Sequence, residues 1–276
     1  MTKIVGILNF TPDSFSDGGI FFSKETALNH CVEMLNQNVD VIDIGGESTR
    51  PGAEAISGDQ EFLRLAKIVP EIVNIVKKYN KDNNRNVKIS VDTYHPDNAR
   101  KFCDMGIDII NDVSGLSSDE MIDIVASKNV KAVFMHSLTV PADPEIIINR
   151  ALNVSEEIIK WAIKKIDLLQ KKSVKKNQLI FDPGIGFSKD STQSLRIIKN
   201  IDIFKTLDLP IYIGHSKKSF LDIVNIKGLE NNKSSRAEKT LIISSFLANK
   251  KIDYLRVHDV SQNIEAIKSK IFEKFI

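Results

Sequence analysis

The chain has 276 residues, 42% hydrophobic and 27% charged, which is ordinary for a water-soluble protein and ample for a sizeable core. Thirty-eight lysines and arginines against 36 acids leave a net charge of +2, so there is no general electrostatic case for nucleic acid or a membrane, only for a local cationic patch that binds an anion. No charged-then-apolar leader opens the chain, no apolar run approaches the roughly 18 residues of a membrane span, and Cys31 and Cys103 suggest no disulfide framework; a reducing cytoplasm is the expected setting.

Taken in order, Lys3 to Asn9 reads as a buried strand, and Phe10 to Phe22 is too rich in Pro, Gly, Ser and Asp to be other than a loop. Ser23 caps a helix with Ala27, Leu28, Cys31, Met34 and Leu35 on one side. The strand Val41-Ile42-Asp43-Ile44 stops at Gly45-Gly46 and empties into Glu47, Ser48, Thr49 and Arg50. A long helix is expected from about Asp59 to Tyr79, then a strand from Val87 to Asp92 and a short helix from Pro96 to Met105. The strand Ile107 to Asn111 follows, then a helix near Asp119 to Ser127 and the strand Val130 to Met135 ending at His136. Pro144 to Lys172 reads as one long helix, Gln178 to Asp182 as a strand ending DPGIGF, with a helical region to about Leu207. The strand Leu209 to Gly214 ends GHSKKS. Two helical pieces lie between Ser219 and Lys250, and the strand Asp253 to Val257 ends at His258 before a closing helix. About eight alternating strand–helix units in one chain are the signature of a single (β/α)8 barrel; a doubly wound open sheet is the structural alternative.

In parallel α/β folds ligands bind at the carboxyl ends of the strands. Placing every strand end on one rim gathers three chemistries. Asp92, Asn111 and Asp182 suit the N–H and ring-nitrogen edge of a flat heterocycle, although any one of them could equally cap the next helix. Arg50, Arg256, His258 and the Asn9 amide suit phosphate or diphosphate oxygens, and Asn9 could ligate a magnesium that shares them. Lys218 and Ser219, at a strand-to-helix junction, could meet a ring and a carboxylate, though a Lys217-Lys218 pair is more often simply solvated. His95, His136, His215 and His258 all follow strands, which raises a zinc-hydrolase reading, but no HxH pair or carboxylate bridge supports it.

The strings GILNFTPDSFSDGG, DIGGESTRPGA, SVDT, INDVSG, DPGIGF, HSKKSF and RVHDV, in that order from Gly6 to Val260, resemble the dihydropteroate synthase family. The resemblance implies a (β/α)8 barrel that joins p-aminobenzoate to 6-hydroxymethyl-7,8-dihydropterin diphosphate, using Mg2+. It implies that Asp92, Asn111, Asp182 and Lys218 line the pterin pocket with Met135 and Phe187 as apolar walls, and that Asn9, Arg50, Arg256 and His258 hold the diphosphate, Asn9 with the metal. Phe15, Thr49, Pro51 and Ser219 would form the p-aminobenzoate pocket, where sulfonamides compete. Asp92, Lys218, Arg256 and His258 would carry the catalysis, in a substitution in which diphosphate leaves first. A homodimer is expected, as is typical of the family, with no nucleic-acid or membrane partner.

Three positions depart from the family pattern. Phe10 stands where Val is usual, Lys217 precedes the catalytic lysine where Arg is usual, and Ser137-Leu138-Thr139 replaces Met-Gln-Gly. The family's usual segment ahead of the first strand is absent, and the expectation is that residues 1–276 are a domain of, or naturally fused to, a larger folate-pathway polypeptide. The competing reading is a pterin-binding methyltransferase domain that presents methyltetrahydrofolate to a corrinoid protein; it shares the Asp/Asn set but has no use for the STRPGA loop or diphosphate ligands.

Overall fold

Parallel strands covered by helices on their outer faces read as nearly continuous apolar runs, and the computed structural model of the chain shows eight of them joined in one sheet. It describes residues 1–11, 23–47, 55–143, 145–226 and 234–274. The strands are β1 (Lys3–Asn9), β2 (Val41–Gly45), β3 (Lys88–Asp92), β4 (Ile109–Asp112), β5 (Lys131–Met135), β6 (Leu179–Asp182), β7 (Tyr212–Gly214) and β8 (Tyr254–Val257). Their order is β6-β5-β4-β3-β2-β1-β8-β7, every pair parallel. A single bridge between Phe181 and Ile211, with the Phe181 N–H donating to the Pro210 carbonyl at 2.9 Å, joins β6 to β7 and closes the ring. The expected (β/α)8 barrel is what forms.

The helices α1 (Lys24–Asn36), α2 (Gly58–Leu65), α3 (Val69–Asn83), α4 (Pro96–Met105), α5 (Asp119–Lys128), α6 (Val154–Lys171), α7 (Ser191–Lys199), α8 (Arg236–Asn249) and α9 (Val260–Lys268) connect the strands. Two expectations need correction. The long helix from Asp59 is two helices, because Pro70, which lacks an N–H, starts a fresh helix at α3 after the break at Ala66–Ile68. The helix expected from Pro144 begins only at Val154, where the Asn153 side chain accepts from the Ser155 N–H and sets the start. Ser23 caps α1 as expected, its Oγ accepting from the Thr26 N–H at 3.2 Å.

Two hydrophobic bodies hold the fold. The larger fills the space between barrel and helices; the smaller lies in the barrel's interior and draws Val5, Val41, Ile109, Val133, Ile180, Tyr212 and Tyr254 from every strand except β3. Side chains alternate along a strand, so the inward neighbours two residues further on are Ile7, Asp43, Asn111, Met135, Asp182, Gly214 and Arg256. The polar rim is therefore the next layer above an apolar plug.

Candidate active site

Asp92 ends β3 and Asn111 lies in β4 as its register partner; Met135 ends β5 opposite Asp182, which ends β6. All four are buried. Asp182 Oδ1 accepts from the Gly184 N–H at 2.7 Å, which turns the chain sharply off the strand. Gly184 has φ +71°, and a Cβ there would fall 2.1 Å from the His136 carbonyl oxygen, so only glycine fits that turn. The turn carries Phe187 to the pocket, where Lys218 Nζ stands 4.6 Å from its ring centroid while donating to the Ile185 carbonyl. Gly214 lies between the two cations: a Cβ there would sit 3.9 Å from both Lys218 Nζ and Arg256 Cδ, an ordinary contact distance.

Arg256 reaches in from β8. Its Nε donates to Asp43 Oδ2 at 2.6 Å and Nη2 to Asp92 Oδ2 at 2.8 Å, and Asn111 Nδ2 donates to the same Asp43 oxygen at 3.2 Å. Three buried carboxyls (Asp43, Asp92, Asp182) thus share the pocket with two cations, Arg256 and Lys218. Burial pushes Asp92 up to about 7, with Arg256 pulling it down and Asp43 pushing it further up. Burial raises Asp182 too, opposed chiefly by Lys218, and lowers Lys218 to about 8 against the pull of Asp182. Burial works against the Arg256 charge as well, but Asp43 and Asp92 hold it firmly protonated.

At the rim, Asn9 ends β1, and its Oδ1 lies 3.1 Å from where a Gly45 Cβ would be, so the glycine is what leaves that amide room. His258 follows β8, its Nδ1 2.9 Å from the Ser216 hydroxyl. Ser219 is exposed and opens a 3-10 turn, Ser219–Ile223, that begins immediately after Lys218. Phe15, Thr49, Arg50 and Pro51 lie outside the described residues. Of the departures, Phe10 packs against the larger core, Lys217 pairs with Asp259 at 3.1 Å, and Leu138 N donates to Ser188 Oγ at 2.9 Å, tying the unusual loop to the β6 turn.

The sequence reading missed three residues. Asp43 was buried in an apolar run; strand alternation places it in the same layer as Asn111, and that was the usable signal. Lys189, behind the DPGIGF turn, is buried and donates to Phe187 O at 2.7 Å, His136 O at 3.1 Å and His136 Nδ1 at 3.0 Å. Burial lowers Lys189 to about 7 and His136 to about 3. Glu47 gives His95 the carboxylate partner that the sequence did not suggest, at 3.3 Å, and also accepts from Tyr94 Oη at 2.7 Å and Ile56 N at 3.1 Å. Glu47, Glu61 and His95 form the one group of three or more histidine, cysteine and acidic residues among the described residues whose ligand atoms, all within 4.8 Å, could hold a metal.

A barrel whose carboxyl-end layer gathers Asp92, Asn111 and Asp182 with Lys218 and Arg256 offers the donors and acceptors that suit the edge of a nitrogen heterocycle. The chain belongs to the pterin-binding enzyme family, whose model matches residues 5–258. It is 37% identical to the dihydropteroate synthase of Bacillus subtilis over 95% of this chain and 85% of that one. It is 34% identical to a probable bifunctional folylpolyglutamate synthase/dihydropteroate synthase of Haloferax volcanii, covering 96% of this chain but only 30% of that relative's length. Among solved structures it superposes on the Anaplasma phagocytophilum dihydropteroate synthase with bound 6-hydroxymethylpterin-monophosphate, at a TM-score of 0.84 and 33% identity over 99% of both chains.

Proposed function

We propose that this chain is a dihydropteroate synthase. It joins p-aminobenzoate to 6-hydroxymethyl-7,8-dihydropterin diphosphate, forming the C–N bond of 7,8-dihydropteroate and releasing diphosphate. The observation that carries the reading is the convergence of Asp92, Asn111 and Asp182 at the carboxyl ends of their strands, with the Lys218 ammonium reaching the same layer from the segment after β7.

The substrate's pterin ring lies in that layer between Met135 and Phe187, with Asp182 and Asn111 taking its hydrogen-bonding edge. The site offers charge stabilisation and no protein nucleophile, which suits departure of diphosphate ahead of amine attack. Asp92, as carboxylate, stabilises the cation left behind, while Arg256, His258 and Arg50 take the charge of the leaving group. An amide oxygen is a hard donor of the kind Mg2+ accepts, and Asn9 Oδ1 at the rim fits a metal held mostly by substrate phosphates. Bound there, Mg2+ would neutralise diphosphate charge. Phe15, Thr49, Pro51 and Ser219 would receive p-aminobenzoate and the sulfonamides that mimic it. The chain would work as a cytoplasmic homodimer, and fusion to another folate enzyme, as the Haloferax relative is named, is a natural context for it.

The test is diphosphate release from dihydropterin diphosphate with Mg2+, with and without p-aminobenzoate, beside a Lys218→Ala control. Release coupled to dihydropteroate, lost in the control, supports the synthase. Pterin binding without release would favour the methyltransferase-type reading instead.

A further inference from the structure

Asp43 is fully buried beneath the pterin slot, and no part of the chemistry above uses it. Its Oδ2 accepts from Arg256 Nε at 2.6 Å and from Asn111 Nδ2 at 3.2 Å, so it binds two residues of the site at once. We infer that Asp43 is a positioning residue: through Nε it holds the Arg256 guanidinium across the floor of the pocket, leaving Asp92 able to exchange its own Arg256 bond for the substrate. The inference rests on the synthase reading.

Three features carry it. Nε is the guanidinium nitrogen nearest the side-chain stem, so a bond there fixes the plane of the fork, whereas a bond at Nη2 alone leaves the stem free to rotate. An arginine drawn largely out of water, here 21% exposed, needs a permanent counter-charge, and of its two carboxylate partners Asp43 is sealed at 0% exposure while Asp92, at 9%, opens on the slot. Finally, β2 pairs with β3, so the Asp43 charge is close enough to Asp92 to disfavour its ionisation. The groups acting on Asp92 are Arg256, Asp43, Glu61 and Asp112, and Lys218 and Tyr212 feel its charge in return.

Asp43→Asn keeps the shape and removes the charge. The KM for dihydropterin diphosphate should rise about tenfold, the share of a charge-assisted hydrogen bond, while that for p-aminobenzoate stays within about twofold. Because the substitution removes a repelling charge and releases the guanidinium to Asp92, the acidic limb of the kcat/KM profile should move to lower pH. Asp43→Asn combined with Arg256→Lys should lose no more activity than Arg256→Lys alone, since the residue acts through that arginine. Multiplicative losses, an unmoved acidic limb or equal rises in both KM values would overturn the inference. If Asp43→Asn does not fold, the wild-type enzyme still decides: the Arg256 Nε–H should be a slowly exchanging resonance by nitrogen-15 NMR, and rapid exchange would overturn the inference. A wild-type enzyme that makes no dihydropteroate would instead sink the synthase reading.

Discussion

Lys218 illustrates how one half-buried side chain can serve two partners at once. Its ammonium lies over the Phe187 ring and bonds the Ile185 carbonyl, both on the turn that follows β6, and burial brings it down to about 8. Lys218→Ala should lower kcat/KM for dihydropterin diphosphate about 100-fold, the scale of a lost charged hydrogen bond of about 3 kcal/mol, read by steady-state kinetics at constant p-aminobenzoate. His136 makes a different case. Its Nδ1 must be neutral to accept from Lys189, and burial depresses it to about 3. A depressed histidine contributes stability that is present above its unfolded value near 6.5 and is lost as pH falls toward 3. Denaturant unfolding should therefore show stability declining below about pH 6.5 by up to ~1.4 kcal/mol per unit from this group, a slope that His136→Gln should flatten.

Among the elements, the turn Asp182–Phe187 is the most constrained. Asp182 anchors its start, Lys189 pins its end, and the His136 carbonyl occupies the space a Gly184 side chain would need. Gly184→Ala combines a positive φ with a backbone clash and should cost about 3 kcal/mol or more, seen as a loss of thermal stability together with weaker pterin binding. The sequence foretold the existence of the strands well, because strands covered on both faces write themselves as apolar runs ending in polar clusters. It foretold helix ends less well. Pro70 looked like an interior residue of one long helix when it was the start of another, and the Asn153 cap was hidden inside an otherwise helical composition. The candidate residues that end strands were legible as candidates for the same reason as the strands. Asp43 and Lys189 were not, since one sits mid-strand and the other has no motif of its own; each is recognised only by what it touches.

For the molecule as a whole, the ring is unevenly made. β1 and β2 share a ladder from Val5–Val41 to Asn9–Gly45, whereas β6 and β7 meet at one bridge backed by the aromatic stack of Phe134, Phe181 and Phe204, with centroids 5.5 and 5.6 Å apart. Phe181→Ala should cost roughly 3–5 kcal/mol and act first on this join, read by denaturant unfolding. The pocket proposed for the pterin straddles the same place: Asp182 comes from one side, Lys218 and Arg256 from the other. A pterin bound there would work as a clasp. Hydrogen–deuterium exchange should find the amides of Phe181 and Ile213 opening well before those of β1 in the empty enzyme, and substrate should slow them far more than it slows amides at equal distance across the barrel. Occupancy and closure of the ring are then one equilibrium, and a mutation that loosens the seam weakens substrate binding without touching the substrate.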